Sequence, residues 1–349
     1  MTRHLLAPLL LAGTLAASTG QAAPSIWQRA RNPNAGPQHT MLNRIERLLG
    51  SLGLPEFDAE LSAGAIALTQ LGQSNWPCLS RSSPAGTESS EREIALDPRL
   101  EYLIGGALLD AQAGHEGEAR CMLERALRDA PNSPLAARGL SDLAIAAAKI
   151  GDREAEHAAY LRALELTWQP DSRANLLANL AESDMALGNL ARAVRGYRSA
   201  LSTSQQPELV AGAYFGLAVA LDRSGDLPSA LDAAKHAISV PMPPSLFATG
   251  NVLDLPNVFF TPQYEVHYYK ALGAMAAAQL ASDDLAKREA LTDASDQWSR
   301  YLEPAAADHA RDAPRAALHQ ASVARQLAEL SARLPKRKGP EHDEASPLL

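Results

Sequence analysis

The chain has 349 residues, of which 46% are hydrophobic and 21% are charged, so it can bury a substantial core. Its formal net charge is −8 and its isoelectric point is near 5.6. A phosphate-binding surface needs clustered Lys and Arg, so this charge balance argues against nucleic acid as a partner.

Residues 1–22 have the pattern of a secretory signal peptide. A polar start at Arg3 and His4 precedes an apolar run over residues 5–17, and a small-x-small cleavage site ends at Ala22. We therefore expect cleavage after Ala22 and an exported protein, periplasmic or secreted. The alternative is an uncleaved membrane anchor, but the apolar run is shorter than the roughly 20 residues that a span needs. No later stretch has the composition of a transmembrane segment.

Two weakly patterned regions follow the signal. Residues 23–72 combine a disordered segment rich in Pro, Asn and Gly with two amphipathic helices, which we expect to cap the helical array that follows. Residues 73–98 are a loop rich in Ser, Pro and Gly.

Residues 99–240 contain four repeats of 37 residues. The repeats are marked by Gly114, Gly151, Gly188 and Gly225, each with an alanine seven residues before it and another twelve residues after it. Apolar residues recur three and four apart on both sides of each glycine, which predicts a helix, a left-handed glycine turn and a second helix. The residues after the last three glycines are good helix N-caps: Asp152, Asn189 and Asp226.

At these positions the chain resembles the tetratricopeptide repeat (TPR) family, whose signature has Leu-Gly/Ala, Tyr, Gly-x4-Ala and a closing proline. The resemblance implies an all-α, right-handed solenoid of helix-turn-helix repeats with N- and C-terminal capping helices. The repeat of this family has about 34 residues. Here the extra three residues fall between one hairpin and the next, so the hairpin itself keeps the spacing of the family.

The chain has two cysteines, Cys78 in the Ser/Pro/Gly loop and Cys121 in the first full repeat. A chain bound for an oxidising compartment favours a disulfide between them. The alternative is a pair of unpaired thiols. Two cysteines this far apart in sequence do not make a zinc cluster.

The strict repeat ends near residue 240. Residues 241–263 form an insertion rich in Pro and aromatic residues, which we expect to be ordered; its Phe259 and Phe260 either fill the core or form a secondary partner site. Residues 264–334 are predicted to form a divergent fifth hairpin, with helices over 264–280 and 284–302, and a last helix over 313–334. Residues 335–349 are predicted to be a disordered tail.

The resemblance also implies a binding site, because the first helices of TPR hairpins line a concave groove that takes an extended polypeptide. Transfer of the groove slots, residue by residue, predicts a site made of Arg138, Asp142, Lys149, Asn175, Asn179, Glu182 and Phe215. Asn175, Asn179 and Glu182 share one helix face, where exposed side chains could bond the backbone of a peptide. The alternative is an ordinary solvated helix face.

We find no motif for an enzyme active site, a metal or a cofactor: no nucleotide-binding glycine loop, no HExxH and no nucleophile elbow. The sequence therefore predicts a non-enzymatic scaffold or adaptor of the cell envelope that binds a protein or peptide. Two alternatives remain. The solenoid could be a permanently assembled subunit of an envelope or secretion complex. An enzyme or sugar-binding module would instead need aromatic and carboxylate side chains converging in the groove, which the groove slots do not show.

Overall fold

Helices make up almost all of the described part of the chain. The structure is a computed structural model, and it describes residues 78, 98, 101, 102, 105, 106, 109, 116–242, 251–255, 258 and 260–333. Within these residues there are ten α-helices, one short 3₁₀ helix and no strand, which confirms the all-α class. The expected signal peptide (1–22), capping segment (23–72) and tail (335–349) lie outside the described residues, as does the marker glycine Gly114.

The ten helices follow one another with short connections, except between α7 and α8, where the insertion lies. In chain order they are α1 (Glu116–Asp129), α2 (Ala136–Ile150), α3 (Arg153–Leu166), α4 (Pro170–Ala186), α5 (Leu190–Thr203), α6 (Pro207–Arg223), α7 (Leu227–Ser239), α8 (Glu265–Leu280), α9 (Asp284–Ala307) and α10 (Ala313–Arg333). The 3₁₀ helix, Val252–Asp254, lies in the insertion. Residues 101, 102, 105, 106 and 109 are helical as well and precede α1.

The predicted glycine turns are present within the three hairpins whose marker glycine the structure describes. Gly151, Gly188 and Gly225 have φ values of 83°, 83° and 97°, in the left-handed region that other residues rarely adopt. The amide of Gly151 donates to the Ala148 carbonyl at 3.1 Å, and the amide of the next residue reaches the Ala147 carbonyl at 2.9 Å. These bonds satisfy the last carbonyls of α2 and reverse the chain into α3.

The predicted N-caps are confirmed at two of three turns. Asp152 accepts a hydrogen bond from the amide of Ala155 at 3.1 Å, and Asp226 accepts one from the amide of Ser229 at 3.1 Å. Asn189 makes no such bond, because its side-chain amide instead donates to Asp184 at 3.4 Å. Asp184 on α4 therefore binds the Asn189 side chain, which does not cap α5.

The chain divides into two compact units, and the first comprises residues 1–213 and 242–261. Its core is formed by Tyr102, Met122, Leu123, Leu140, Ile145, Tyr160 and Leu176, together with many alanines. Cys78 and Cys121 form a disulfide, with Cα atoms 5.7 Å apart. The predicted bridge is thus confirmed, and Cys78 packs against this core.

The second unit comprises residues 214–241 and 262–349. Helices α8 and α9 are paired through aromatic side chains: the ring centroids of Tyr268 and Trp298 are 4.8 Å apart, and the Trp298 indole N–H donates to Met275 Sδ at 3.4 Å. Helix α9 runs five residues past its predicted end at residue 302 and contains Pro304. In the insertion, Val252 and Leu253 of the first unit are buried.

Candidate protein-binding surface

The predicted groove residues of α2 face the helical residues that precede α1. Asp142 is buried, with one carboxylate oxygen 3.9 Å from Nε of Arg138. A Cβ placed on Gly106 would lie 2.9 Å from a carboxylate oxygen of Asp142, so this side chain packs directly against the backbone at Gly106. Lys149, at the end of α2, donates to the Leu109 carbonyl at 3.4 Å. Arg138 and Lys149 stay partly exposed.

The predicted groove residues of α4 form a buried polar stripe. Asn175 and Asn179 are 1% and 0% exposed, and Ser183, one further turn along, is also buried. The expectation that these asparagines are exposed helix positions is therefore wrong. The spacing placed them on one face, but it could not show that this face is covered. Their part in binding a polypeptide stays a prediction.

Two serine hydroxyls in the same first helices are buried without a hydrogen-bond partner in the described structure: Ser141 on α2 and Ser183 on α4. A buried polar group left without a partner costs about 1–3 kcal/mol. Stability alone gives no reason to keep such hydroxyls in the interior of a helix pair. Both hydroxyls are therefore unsatisfied hydrogen-bonding groups within the described structure.

Glu182 belongs to a cluster that joins three helices of the first unit. It accepts a short hydrogen bond from the Tyr197 hydroxyl on α5. Glu156 on α3 is fully buried and pairs with Arg153 at 2.8 Å; its pKa is raised to about 7, mainly by burial, which Arg153 partly offsets and to which the nearby Glu182 adds. The Arg153 guanidinium also donates to the Thr261 carbonyl at 2.7 Å, which ties α3 to the end of the insertion.

Of the three predicted aromatic residues, the structure describes Phe215 and Phe260. Phe215, in the second unit, is buried, and a Cβ placed on Gly273 would lie 3.0 Å from its ring. Phe215 therefore packs against α8. Phe260 is half-buried, whereas Phe259 lies outside the described residues. Whether either phenylalanine contacts a partner stays a prediction.

A buried polar network lies in the second unit, and the sequence pattern did not predict it. Asp222 accepts a hydrogen bond from the Tyr268 hydroxyl at 2.5 Å, and both of its oxygens lie 3.0 Å from His319 Nε2. Burial, together with the charge of Asp222, raises the pKa of the Tyr268 hydroxyl. The Trp298 ring lies against the His319 ring at 5.3 Å.

Arg223 adds a second layer to this network. Its guanidinium pairs with Glu265 at 2.5 Å and with Asp312 at 3.0 Å, and it lies 4.9 Å from the centre of the Tyr268 ring. Burial alone would lower the pKa of Arg223, but the two carboxylates outweigh it and the pKa is raised. The pair therefore stays charged and joins α6, α8 and the start of α10.

One signal in the repeat could have revealed the network. In the 37-residue register, Asp222 occupies the slot held by Met185 and Ala148 in the two preceding repeats. A carboxylate in a slot that is otherwise apolar indicates a local partner. The partner His319 lies 97 residues further along the chain, which is why periodicity could not supply it.

The described residues contain no group of three or more His, Cys, Asp or Glu side chains placed to hold a metal ion. None of the described helices combines the length and the apolar composition that a bilayer crossing requires. Neither models of known protein families nor curated protein sequences match this chain.

Proposed function

We propose that this chain is a non-enzymatic, TPR-like scaffold that is exported and binds an extended polypeptide along the first helices of its hairpins. The observation that carries the proposal is the repetition of one hairpin geometry, in which left-handed glycines 37 residues apart close successive helix pairs. Repeated hairpins offer equivalent positions at regular intervals, which suits a linear ligand.

The accessible members of the predicted site are those that a polypeptide would reach directly. Arg138, Lys149 and Glu182 are partly exposed and carry charges of both signs. The hydroxyls of Ser141 and Ser183 lie on the same helices but are fully buried, so a bound peptide would not contact them directly. Asn175 and Asn179 are buried on α4 and would then have a structural role behind the accessible residues.

The disulfide supports the proposed location. Disulfides persist in oxidising compartments and are rare in the cytosol. The bridge between Cys78 and Cys121 therefore agrees with the signal-like pattern of residues 1–22 and with a periplasmic or secreted protein.

Site-specific photo-crosslinking in the native envelope tests the proposal. A photoreactive residue at position 138, 149 or 182 should capture one partner, with successive segments of that partner joined to successive positions. Arg128, on the exposed side of α1, gives the matched control and should capture little. The proposal is overturned by equal capture at position 128 or by no capture at the three test positions. A partner captured at every exposed position, and purified with the chain in fixed proportion, would instead favour a permanently assembled subunit.

A further inference from the structure

The corner between α3 and α4 exposes the chain's most solvent-accessible large apolar side chain among the described residues. Trp168 is 82% exposed there, and Leu161 and Leu166 on the last two turns of α3 are 43% and 48% exposed. All three belong to the first unit. Water contact with an indole and two isobutyl groups is unfavourable, so these three side chains are candidates for an interaction site.

The corner is held in place by side-chain hydrogen bonds. One guanidinium nitrogen of Arg173, on the first turn of α4, donates to the carbonyls of Leu164 at 3.0 Å and Thr167 at 3.2 Å. The Thr167 hydroxyl donates to the Ala163 carbonyl at 2.8 Å. Pro170 then begins α4. The backbone that carries the exposed Trp168 is therefore held by hydrogen bonds on its N-terminal side.

The next hairpin shows that this architecture does not need an apolar corner. The residues 37 positions after Leu161, Leu166 and Trp168 are Arg198, Thr203 and Gln205, all polar. At that corner Ser204 and Gln206 donate to the carboxylate of Asp171 at 2.6 and 3.0 Å. The two connections between successive hairpins thus differ in the polarity of their side chains. The exposed indole belongs to the α3–α4 corner alone and is not required by the hairpin.

The end of α5 lies near this corner, because Ser204, the residue after α5, donates to Asp171 on the first turn of α4 at 2.6 Å. Helix α5 contains three exposed arginines and no acidic residue. Arg192 pairs with Asp184 at 3.1 Å, whereas Arg195 and Arg198 make no ion pair in the described part of the chain. Arg162, on α3 beside Leu161, is also exposed. A chain with a net charge of −8 thus carries exposed positive charge on a helix whose end lies near the corner that exposes Trp168.

We propose that the α3–α4 corner and the neighbouring face of α5 form a peripheral binding surface for a bilayer of anionic phospholipid. Trp168 and Leu166 enter the headgroup region, and Arg162, Arg195 and Arg198 meet lipid phosphates. Binding to a membrane surface combines buried apolar area with attraction between basic residues and anionic headgroups. The negative charge of the rest of the chain is screened beyond about 8–10 Å at physiological salt.

The chemistry of the patch favours a lipid surface over a second copy of the chain. The exposed part of one indole amounts to about 200 Å², and the two leucines are only half exposed. A stable protein dimer buries about 800 Å² on each partner, which this patch does not approach. An indole has an apolar ring and one N–H donor, so it is suited to the boundary between headgroups and acyl chains. Arginine forms paired hydrogen bonds with phosphate.

Vesicle flotation tests the proposal without involving the first helices. The full mature chain should bind vesicles that contain phosphatidylglycerol and should not bind vesicles of phosphatidylcholine alone. Trp168→Gln should weaken binding at least about tenfold, and Arg195→Gln with Arg198→Gln should weaken it and reduce its dependence on salt. Leu318→Gln, a 71% exposed leucine of α10, is the matched control and should bind normally. Thermal unfolding should be unchanged in all of these variants.

Tryptophan fluorescence gives a second, direct measurement. In a variant with Trp27→Phe and Trp76→Phe, the remaining indoles are the exposed Trp168 and the fully buried Trp298. Addition of phosphatidylglycerol vesicles should shift the emission to the blue, and brominated lipid should quench it. Both effects should disappear when Trp168 is also replaced by Phe.

Three results would overturn the proposal. The first is no binding to phosphatidylglycerol vesicles, and the second is binding that Trp168→Gln leaves unchanged. The third is an association with protein that requires Trp168. It would be seen either as a dimer in sedimentation or as a crosslink from position 161 to an acidic protein segment, and Trp168→Gln would abolish it. That result would assign the same surface to a protein. Neither flotation nor fluorescence depends on Arg138, Lys149 or Glu182, so this inference and the proposed scaffold function can fail separately.

Discussion

The two compact units hold their helices together in different ways. The first unit has a core of apolar side chains and many alanines, a buried polar stripe at Asn175 and Asn179, one disulfide, and a buried carboxylate, Glu156, that pairs with Arg153. In the second unit three helices meet around a buried arginine and a buried aspartate, with Tyr268, Trp298 and Tyr301 packed beside them. The strict repeat lies mostly in the first unit. In the second unit, where the strict repeat ends, a specific network of charged and aromatic side chains holds neighbouring helices together.

Removal of the central cation of the second unit, Arg223, should have the largest effect on the free energy of unfolding. Arg223→Met leaves Glu265 and Asp312 mostly buried without a positive partner, and we expect a loss of about 3–5 kcal/mol in the free energy of unfolding. Urea denaturation measures the loss, and hydrogen exchange should place it in α8, α9 and α10.

Arg300→Met is the control for that experiment. Arg300 forms an i,i+4 pair with Asp296 on the exposed side of α9, and such pairs contribute at most about 1 kcal/mol. Equal losses in the two variants would show that the Arg223 network is not what stabilises the second unit. Adding Glu265→Gln and Asp312→Asn to Arg223→Met should recover part of the loss.

The next largest effect should come from the bridge of the first unit. Its cysteines are 43 residues apart, and opening a loop of that size costs roughly 3–4 kcal/mol in the chain-entropy model. Cys78→Ser with Cys121→Ser should therefore lower the denaturation midpoint, and reduced wild-type protein should behave in the same way. If the bridge serves the first unit, hydrogen exchange should rise in α1 and α2 more than in α8 and α9. The opposite pattern would contradict this assignment.

A smaller effect should depend on pH and on Glu156. Burial raises the pKa of this carboxyl from 4.5 to about 7, since Arg153 only partly offsets it and Glu182 adds to the rise. The folded chain therefore holds the proton more tightly than the unfolded chain. This contribution to stability is fully present below pH 4.5 and is lost as the pH rises through about 7.

Glu156→Gln should remove that dependence. Relative to wild type, the variant should gain stability as the pH rises through this window, by on the order of 2 kcal/mol in total. Unfolding curves at several pH values measure the difference. Glu165→Gln changes an exposed glutamate of the same helix and controls for the loss of one negative charge. Parallel pH profiles for wild type and Glu156→Gln would contradict the prediction.

Much of the helical pattern could be predicted because it depends on neighbours in sequence. Glycine repeats located the left-handed turns at Gly151, Gly188 and Gly225, and two of the three N-caps were also predicted correctly. Asn189 departs from its prediction because Asp184, on the preceding helix, competes for its side chain. The candidate site was harder to predict. Helical spacing shows that Asn175 and Asn179 share a face, but it does not show what covers that face.

The all-α class and the glycine turns could be predicted from the sequence, because turn geometry and helix periodicity are local, and two cysteines allow one intramolecular pairing. That the two cysteines are in fact bridged comes from the structure. Only the tertiary structure decided that Asn175 and Asn179 are buried and that Trp168 is exposed. It alone brought Asp222 to His319, 97 residues away. Burial and long-range pairing depend on which helix faces meet. That choice is made by the whole set of contacts and is not encoded in any single stretch of the chain.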